Sequence, residues 1–199
     1  MTDPGKARRP GRPRSERSQR AVLTAALELL TDQGLQALTM DDIAAHAGVS
    51  KNTIYRWWPN KAAVLMDAFA DAISPRMGFP DEGDAITRLR AQVRRVAQLM
   101  SEPRARLPFV ALVAASQHDA ELATALRERF VADRRAAAHQ LIAAAVEAGE
   151  FAPDLDIEVI IDAIYGALYY RLLVSRAPVT PDYADRLVDG LAPALLATA

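Results

Sequence analysis

Lys51, Asn52, Arg56 and Lys61 crowd one short stretch, GVSKNTIYRWWPNK (residues 48–61), together with Tyr55, Trp57 and Trp58. Side chains of these types together suit the recognition of nucleic acid, set against the plain reading of a solvated polar face over an aromatic core. The Tyr55 hydroxyl and the Trp57 indole N–H can contact phosphate oxygens, while Asn52 and Arg56 can read base edges, asparagine toward adenine and arginine toward guanine. Lys51 and Lys61 each open a helix in the sequence pattern, where the helix dipole disfavours a cation and a nearby phosphate reverses the balance. Catalytic chemistry is not represented. His46, His118 and His139 are isolated in sequence, and no H-E-x-x-H, G-x-S-x-G or phosphate-cradling glycine loop occurs. Asp41 and Asp42 are adjacent, so they point apart on a helix. There is no cysteine, which excludes disulfides and thiolate metal sites. No enzyme activity, metal or cofactor is expected.

Presenting these groups requires a small helical scaffold. From about Ser15 to Gln33 the pattern is helical, with Val22, Ala26, Leu29 and Leu30 on one face and Leu23 and Leu27 widening it. Gly34 ends this helix as a left-handed cap. Thr39, with Asp42 three residues on, opens a second helix that Gly48 closes. Ser50 caps a third helix, which stops before Pro59 because a residue preceding proline avoids helical geometry. Asn60 caps a fourth, running to about Ser74. Residues 39–58 thus form two helices of about eight residues joined by GVS, a helix-turn-helix whose second helix can enter the major groove of DNA. Ile43, Ala44, Ala47, Val49, Ile54 and Trp58 supply its core. Lys51, Asn52, Thr53, Tyr55, Arg56 and Trp57 are left facing outward.

The stretch LTMDDIAAHAGVSKNTIYRWWPNKAAVL resembles the N-terminal DNA-binding domain of TetR-family transcriptional regulators at Thr39, Ile43, Ala44, Ala47, Gly48, Val49, Ser50, Thr53, Tyr55, Lys61 and Leu65. AALELLTDQG is similar to that family's first helix. The resemblance is motif-level over residues 15–74 and architectural over 75–199, where GALYYRLLVSRAPVT is similar to one common C-terminal subgroup. It implies that Thr39, Lys51, Asn52, Thr53, Tyr55, Trp57 and Lys61 lie near DNA. Trp58 departs from the family's usual phenylalanine, and a larger ring there can tilt the recognition helix. The preceding segment 1–14, MTDPGKARRPGRPR, cannot bury a core and is expected to be a disordered basic arm. Its arginines, Arg12 and Arg14 among them, either lie in an A·T-rich minor groove, Gly11-Arg12-Pro13 being similar to an AT-hook, or make only nonspecific phosphate contacts.

Charge divides the chain in the same way. Residues 1–62 hold ten Lys/Arg against six Asp/Glu, and residues 63–199 hold fourteen against nineteen, so an anionic partner is expected at one end only. Residues 75–199 read as helical with no strand-like alternation, giving an all-α chain of about nine helices, and the resemblance implies that they form a ligand-binding and dimerisation domain. Ile86, Leu89, Val93, Val96 and Met100 form one apolar stripe, and Pro103 and Pro108 are expected to break the chain after it. The helix from Ile157 to Ser175 is apolar nearly all round, and a helix with no polar face must be covered on every side. With the last helix it suggests a homodimer, its interface at Ile164, Tyr165, Leu168, Tyr169, Leu172, Leu187 and Leu191, Pro193 ending or kinking the last helix early. TetR-like proteins dimerise through their last two long helices. A two-fold dimer reads two half-sites about 34 Å apart.

The resemblance further implies a pocket for a small-molecule effector in the middle helices. Candidate lining residues are Met66, Phe69, Met100, Phe109, Leu112 and Phe130, with Gln117, His118 and His139 as polar contacts, set against the ordinary reading of Met and Phe at helical spacing as core. The first twenty residues lack an apolar signal-peptide core and no charge-free run of about 18 apolar residues occurs, so a cytoplasmic chain without a membrane partner is expected. The whole predicts a homodimeric repressor that a small molecule releases from an inverted-repeat operator in double-stranded DNA. A purely architectural DNA binder would need only the arm and the lysines, and leaves a large acidic helical domain unexplained.

Overall fold

The computed structural model describes residues 12–196, with side chains described from Glu16 onward. Its helical segments are α1 (Arg12–Ala37), α2 (Met40–Ala47), α3 (Lys51–Tyr55), α4 (Lys61–Ile73), α5 (Ala85–Ser101), α6 (Pro103–Ser116), α7 (Ala120–Leu126), α8 (Ala132–Glu147), α9 (Ile157–Tyr169) and α10 (Pro181–Leu195). A π turn, Arg127–Val131, joins α7 to α8 as one rod, and a second, Tyr170–Val174, extends α9. The chain is all-α, with no β-strand among the described residues. Among the described residues no helix is long and apolar enough to cross a membrane.

Most boundaries follow from local chemistry. Thr39 and Asp42 close a reciprocal capping box on α2, and Gly48 ends that helix with φ 64° and ψ 34°. Ser50 and Asn60 cap α3 and α4 by accepting from the backbone N–H groups of Thr53 and Ala63. Gly34 interrupts α1 with φ 78° and ψ 170°, a conformation that only glycine adopts readily.

Four boundaries correct the sequence reading. α1 already includes Arg12, the first described residue, inside the segment expected to be an arm. Arg12 and Arg14 therefore belong to a helix rather than to an extended strand; their side chains, and residues 1–11, lie outside the described ones. α3 is shorter than expected: the N–H groups of Trp57 and Trp58 both bond the Ile54 carbonyl, at 2.9 and 3.0 Å, and the chain turns before Pro59. Pro108 does not break α6. Burial of Ala105, Phe109 and Leu112 offsets the roughly 3 kcal/mol that an interior proline costs. Pro193 likewise sits inside α10, where burial of Leu195 and a bond from the Ala152 N–H to the Leu195 carbonyl, 2.9 Å, hold the end of the helix.

Two packed regions share a core through α4. In the N-terminal head, Val22, Ala26, Leu29 and Leu30 of α1 meet Ile43 and Ala44 of α2 and Ile54 and Trp58, all buried. α4 packs against α1 on one side and against α6, α7 and the first π turn on the other. There Phe69 of α4 lies in an aromatic cluster, its ring centroid 5.8 Å from Phe109 and 5.5 Å from Phe130, while Tyr169 is 5.5 Å from Phe109. α5 and α10 pack together along the far side of the bundle.

Candidate nucleic-acid interface

The recognition segment is fixed from beneath and open above. Ile54 is fully buried and Trp58 is 5% exposed, whereas Lys51, Asn52, Tyr55 and Arg56 are exposed, Tyr55 to 46%. Asn52 and Arg56 are four residues apart, so they share a face, and Lys51 and Tyr55 form the adjacent row. Asn52 and Tyr55 make no side-chain hydrogen bond to any described residue, so their polar groups are free for a partner. The Arg56 guanidinium lies 5.0 Å from the centre of the Trp57 ring, and Trp57 meets Trp58 edge to face at 5.6 Å. The paired tryptophans thus form a rigid shelf beneath Arg56.

Several residues read as DNA contacts have partners inside the chain. The Lys51 ammonium donates to Asp41 at 2.9 Å, a bond that raises its pKa and balances the cation at the start of the helix. Thr39 donates its hydroxyl to Asp42 at 2.6 Å, and the Thr53 hydroxyl is 2.8 Å from that of Ser50, so both serve caps. Lys61 departs furthest from expectation. Its ammonium donates to the carbonyls of Leu35 and Leu38, at 3.2 and 2.8 Å, at the C-terminal end of α1. These carbonyls supply the negative partner that the sequence reading gave to a phosphate, and they make Lys61 a tie between α1 and α4.

Trp58 has a partner that no sequence signal announced. Its indole N–H donates to Asp67 of α4 at 2.7 Å, and the same Asp67 oxygen accepts from Arg129 of the first π turn, also at 2.7 Å. One carboxylate therefore joins the end of the recognition segment to the C-terminal bundle. Sequence reasoning also missed Arg17 and Arg20, which line a groove between α1 and α2 with Glu28 and His46. Their spacing of three on the polar face of α1, in the basic part of the chain, was the available signal.

The expected effector and dimer residues distribute differently from the sequence reading. Met66, Phe69, Phe109, Leu112 and Phe130 are buried, and three of them pack ring against ring, so they form core rather than an open pocket wall. Met100 lines a cavity of about 710 Å³ with Arg106, Leu172 and Arg176. Gln117, His118 and His139 are exposed, Gln117 folding back to donate to the Val113 carbonyl at 3.2 Å. Ile164 and Leu168 are buried by the chain's own bundle and so cannot present an interface. Tyr165 is turned inward, its hydroxyl donating to Gln92 at 2.9 Å, and burial pushes the phenols of both Tyr165 and Tyr169 up. Leu172, Leu187 and Leu191 remain half-buried. The open row on this helix is instead Val159, Ala163, Gly166, Tyr170 and Val174, with Val159, Tyr170 and Val174 at 58%, 60% and 66% exposure.

A capped α2–turn–α3 unit packed on α1, with an exposed row of Asn, Tyr and Arg, defines a helix-turn-helix DNA-binding protein. Residues 22–68 match the model for bacterial regulatory proteins of the tetR family, and residues 79–191 match that for the tetracyclin repressor-like C-terminal domain. The HTH-type transcriptional regulator YdeS of Bacillus subtilis is 41% identical over 178 residues, 89% of each chain. The DNA-binding transcriptional repressor TetR of Mycobacteroides abscessus is 32% identical over 179 residues, 88% of this chain and 92% of the relative. A crystal structure of the TetR family transcription regulator SCO0332, 38% identical, covers 89% of this chain and 97% of its own with a TM-score of 0.78. The chain belongs to the TetR family of helix-turn-helix transcriptional regulators.

Proposed function

We propose that the protein is a homodimeric repressor that holds an inverted-repeat operator and releases it when a small molecule binds its C-terminal bundle. The observation that carries this reading is the exposed, internally unbonded pair of Asn52 and Tyr55 beside Arg56, on a segment held rigid by Ile54, Trp58 and the Ser50 cap. Asn52 and Arg56 read bases, and Tyr55 and Lys51 hold phosphates. Arg17 and Arg20 add phosphate contacts from α1. The repressing sign is supported by the Mycobacteroides abscessus relative, which bears that name.

Dimerisation is supported by the apolar row on α9. Val159, Ala163, Gly166, Tyr170 and Val174 follow one another at spacings of three and four, and an exposed apolar stripe of this kind marks an interaction surface. A Cβ built at Gly166 meets nothing within 4 Å, so a second backbone can approach closely there. The occupant is a second copy, because a two-fold pair places two recognition segments on successive grooves, about 34 Å apart. Effector binding then acts only through its different affinity for the two head spacings.

Selection from randomised duplexes tests the assignment. The wild-type protein should enrich one inverted repeat, Asn52→Ala and Arg56→Ala should change which bases are preferred, and Tyr55→Phe should weaken binding without changing the preference. Unaltered base preference in both Asn52→Ala and Arg56→Ala would remove these residues from the reading role.

A further inference from the structure

A cavity of about 280 Å³ opens between the end of α4, the loop after it, α5 and the start of α8, lined by Ser74, Met77, Phe79, Gln92, Arg129 and Arg134 among others. Its polar lining is one-sided. Gln92 is 2% exposed on the otherwise apolar face of α5. Its Oε1 accepts from Tyr165 at 2.9 Å and its amide nitrogen donates to the Met77 carbonyl at 3.4 Å, which leaves a second amide N–H without an acceptor. Arg134 donates to the Phe130 carbonyl at 2.6 Å and to the Ser74 hydroxyl at 3.3 Å, and its guanidinium sits 3.9 Å from the centre of the Phe130 ring. Its Nε is buried with no hydrogen-bond partner, and Asp185 Oδ1 is the only other side-chain atom in that condition among the described residues. Burial pulls the guanidinium below the usual arginine range. The fold has therefore partly desolvated a cation without giving it an ion pair, the neighbouring Asp133 carboxylate acting on it only through its charge. Acceptors nearby are already taken: Met77 by Gln92, Gly78 by Arg95, and Asp67 by Arg129 and Trp58. Asp133, the one acid on the cavity wall, is exposed and forms no ion pair with Arg134.

The buried donors left without partners on Arg134 and Gln92 call for a guest that accepts. We propose that this cavity binds a small organic carboxylate, whose oxygens accept from Arg134 and Gln92 while its apolar body lies against Met77 and Phe79, a site that serves as the effector site if the ligand-responsive reading above holds. Arg129 lines the same cavity and shares Asp67 with Trp58. An anion there competes with Asp67 for Arg129 and so reaches the recognition segment through one carboxylate.

Isothermal titration of the full-length protein with matched pairs tests the site: benzoate and benzamide, phenylacetate and phenylacetamide, octanoate and octanamide, with inorganic phosphate alongside. At least one carboxylate should bind about tenfold or more tightly than its amide, the scale of a charge-assisted hydrogen bond. Arg134→Gln should abolish that preference, Arg134→Lys should keep it at lower affinity, and Gln92→Leu should weaken it. If Arg134→Gln does not fold, the other two variants decide. No carboxylate preferred over its amide, a preference unchanged by these substitutions, or tightest binding of phosphate would overturn the proposal. Operator release by the best carboxylate is measured separately. Binding through Arg134 without release would keep the site and refute ligand-controlled release.

Discussion

Asp67→Leu isolates the junction between the recognition segment and the bundle. The substitution removes the acceptor of the Trp58 indole N–H, in a region where Trp58 is 5% exposed, and leaves Arg129 unpaired. A hydrogen bond to a charged acceptor contributes about 1.5–3 kcal/mol when its partner is lost and the donor stays buried. The Arg129 ion pair is partly open to solvent, at 34% and 30% side-chain exposure, so it adds about 0–1 kcal/mol. The sum, roughly 1.5–4 kcal/mol, corresponds to a fall in Tm of about 3–16 °C for a chain of this size. Thermal unfolding followed by circular dichroism, at one fixed protein concentration because the proposed dimerisation would be linked to folding, reads this directly. Asp67→Asn keeps an acceptor for Trp58 and loses only the charge, so its fall should be smaller. In a Trp58→Phe background Asp67→Leu should lose most of its effect, since the indole donor is already gone. A Tm for Asp67→Leu within about 1 °C of wild type would refute the junction.

Lys61→Ala should destabilise the fold by about 1–3 kcal/mol through the lost bonds to Leu35 and Leu38, a fall in Tm of about 2–12 °C, while leaving the salt dependence of operator binding nearly unchanged; a stable variant with a shallower salt slope would return Lys61 to a phosphate. Tyr55→Phe should leave Tm unchanged, because the hydroxyl has no internal partner, and weaken operator affinity by about fivefold in a fluorescence-anisotropy titration. Tyr170→Glu places a charge in the exposed row of α9 and should shift the protein toward monomer in sedimentation velocity, an outcome that Ile164→Glu could mimic only by disrupting the core. Thr39, by its hydroxyl and then its backbone N–H, holds the Asp42 carboxyl below the usual aspartate range. A depressed folded pKa contributes stability above the ordinary value that is lost as pH falls through the folded one. The Tm difference between wild type and Asp42→Asn should therefore shrink as the pH is lowered below about 4; a constant difference would remove the capping carboxylate from the account.

What the sequence made legible was local chemistry. Thr39 with Asp42, Ser50, Asn60 and Gly48 announce helix ends because caps are made within four residues, and Val22, Ala26, Leu29 and Leu30 announce a buried face by spacing alone. Facing directions across long distances were not legible. Ile164 and Leu168 look like an interface on a helix apolar all round, and only the packing of α5, α8 and α10 against α9 reveals that Val159, Gly166 and Tyr170 are the side left open. Lys61 shows the same limit: a cation at a helix start needs a negative partner, but the Leu35 and Leu38 carbonyls lie at the end of α1, brought alongside by the tertiary fold. No motif or spacing in the sequence singles out Gln92 or Arg134. Their meaning emerges only when α4, α5 and α8 enclose them together.

Capture of sheared genomic DNA by the purified full-length protein at near-physiological salt, followed by sequencing of the retained fragments, tests the central claim most directly. Two recognition segments carried by a two-fold dimer predict that a small set of fragments is enriched and shares an inverted repeat with half-sites about one helical turn apart. Uniform retention of all fragments, or enrichment with no shared repeat, would contradict sequence-specific reading by Asn52 and Arg56.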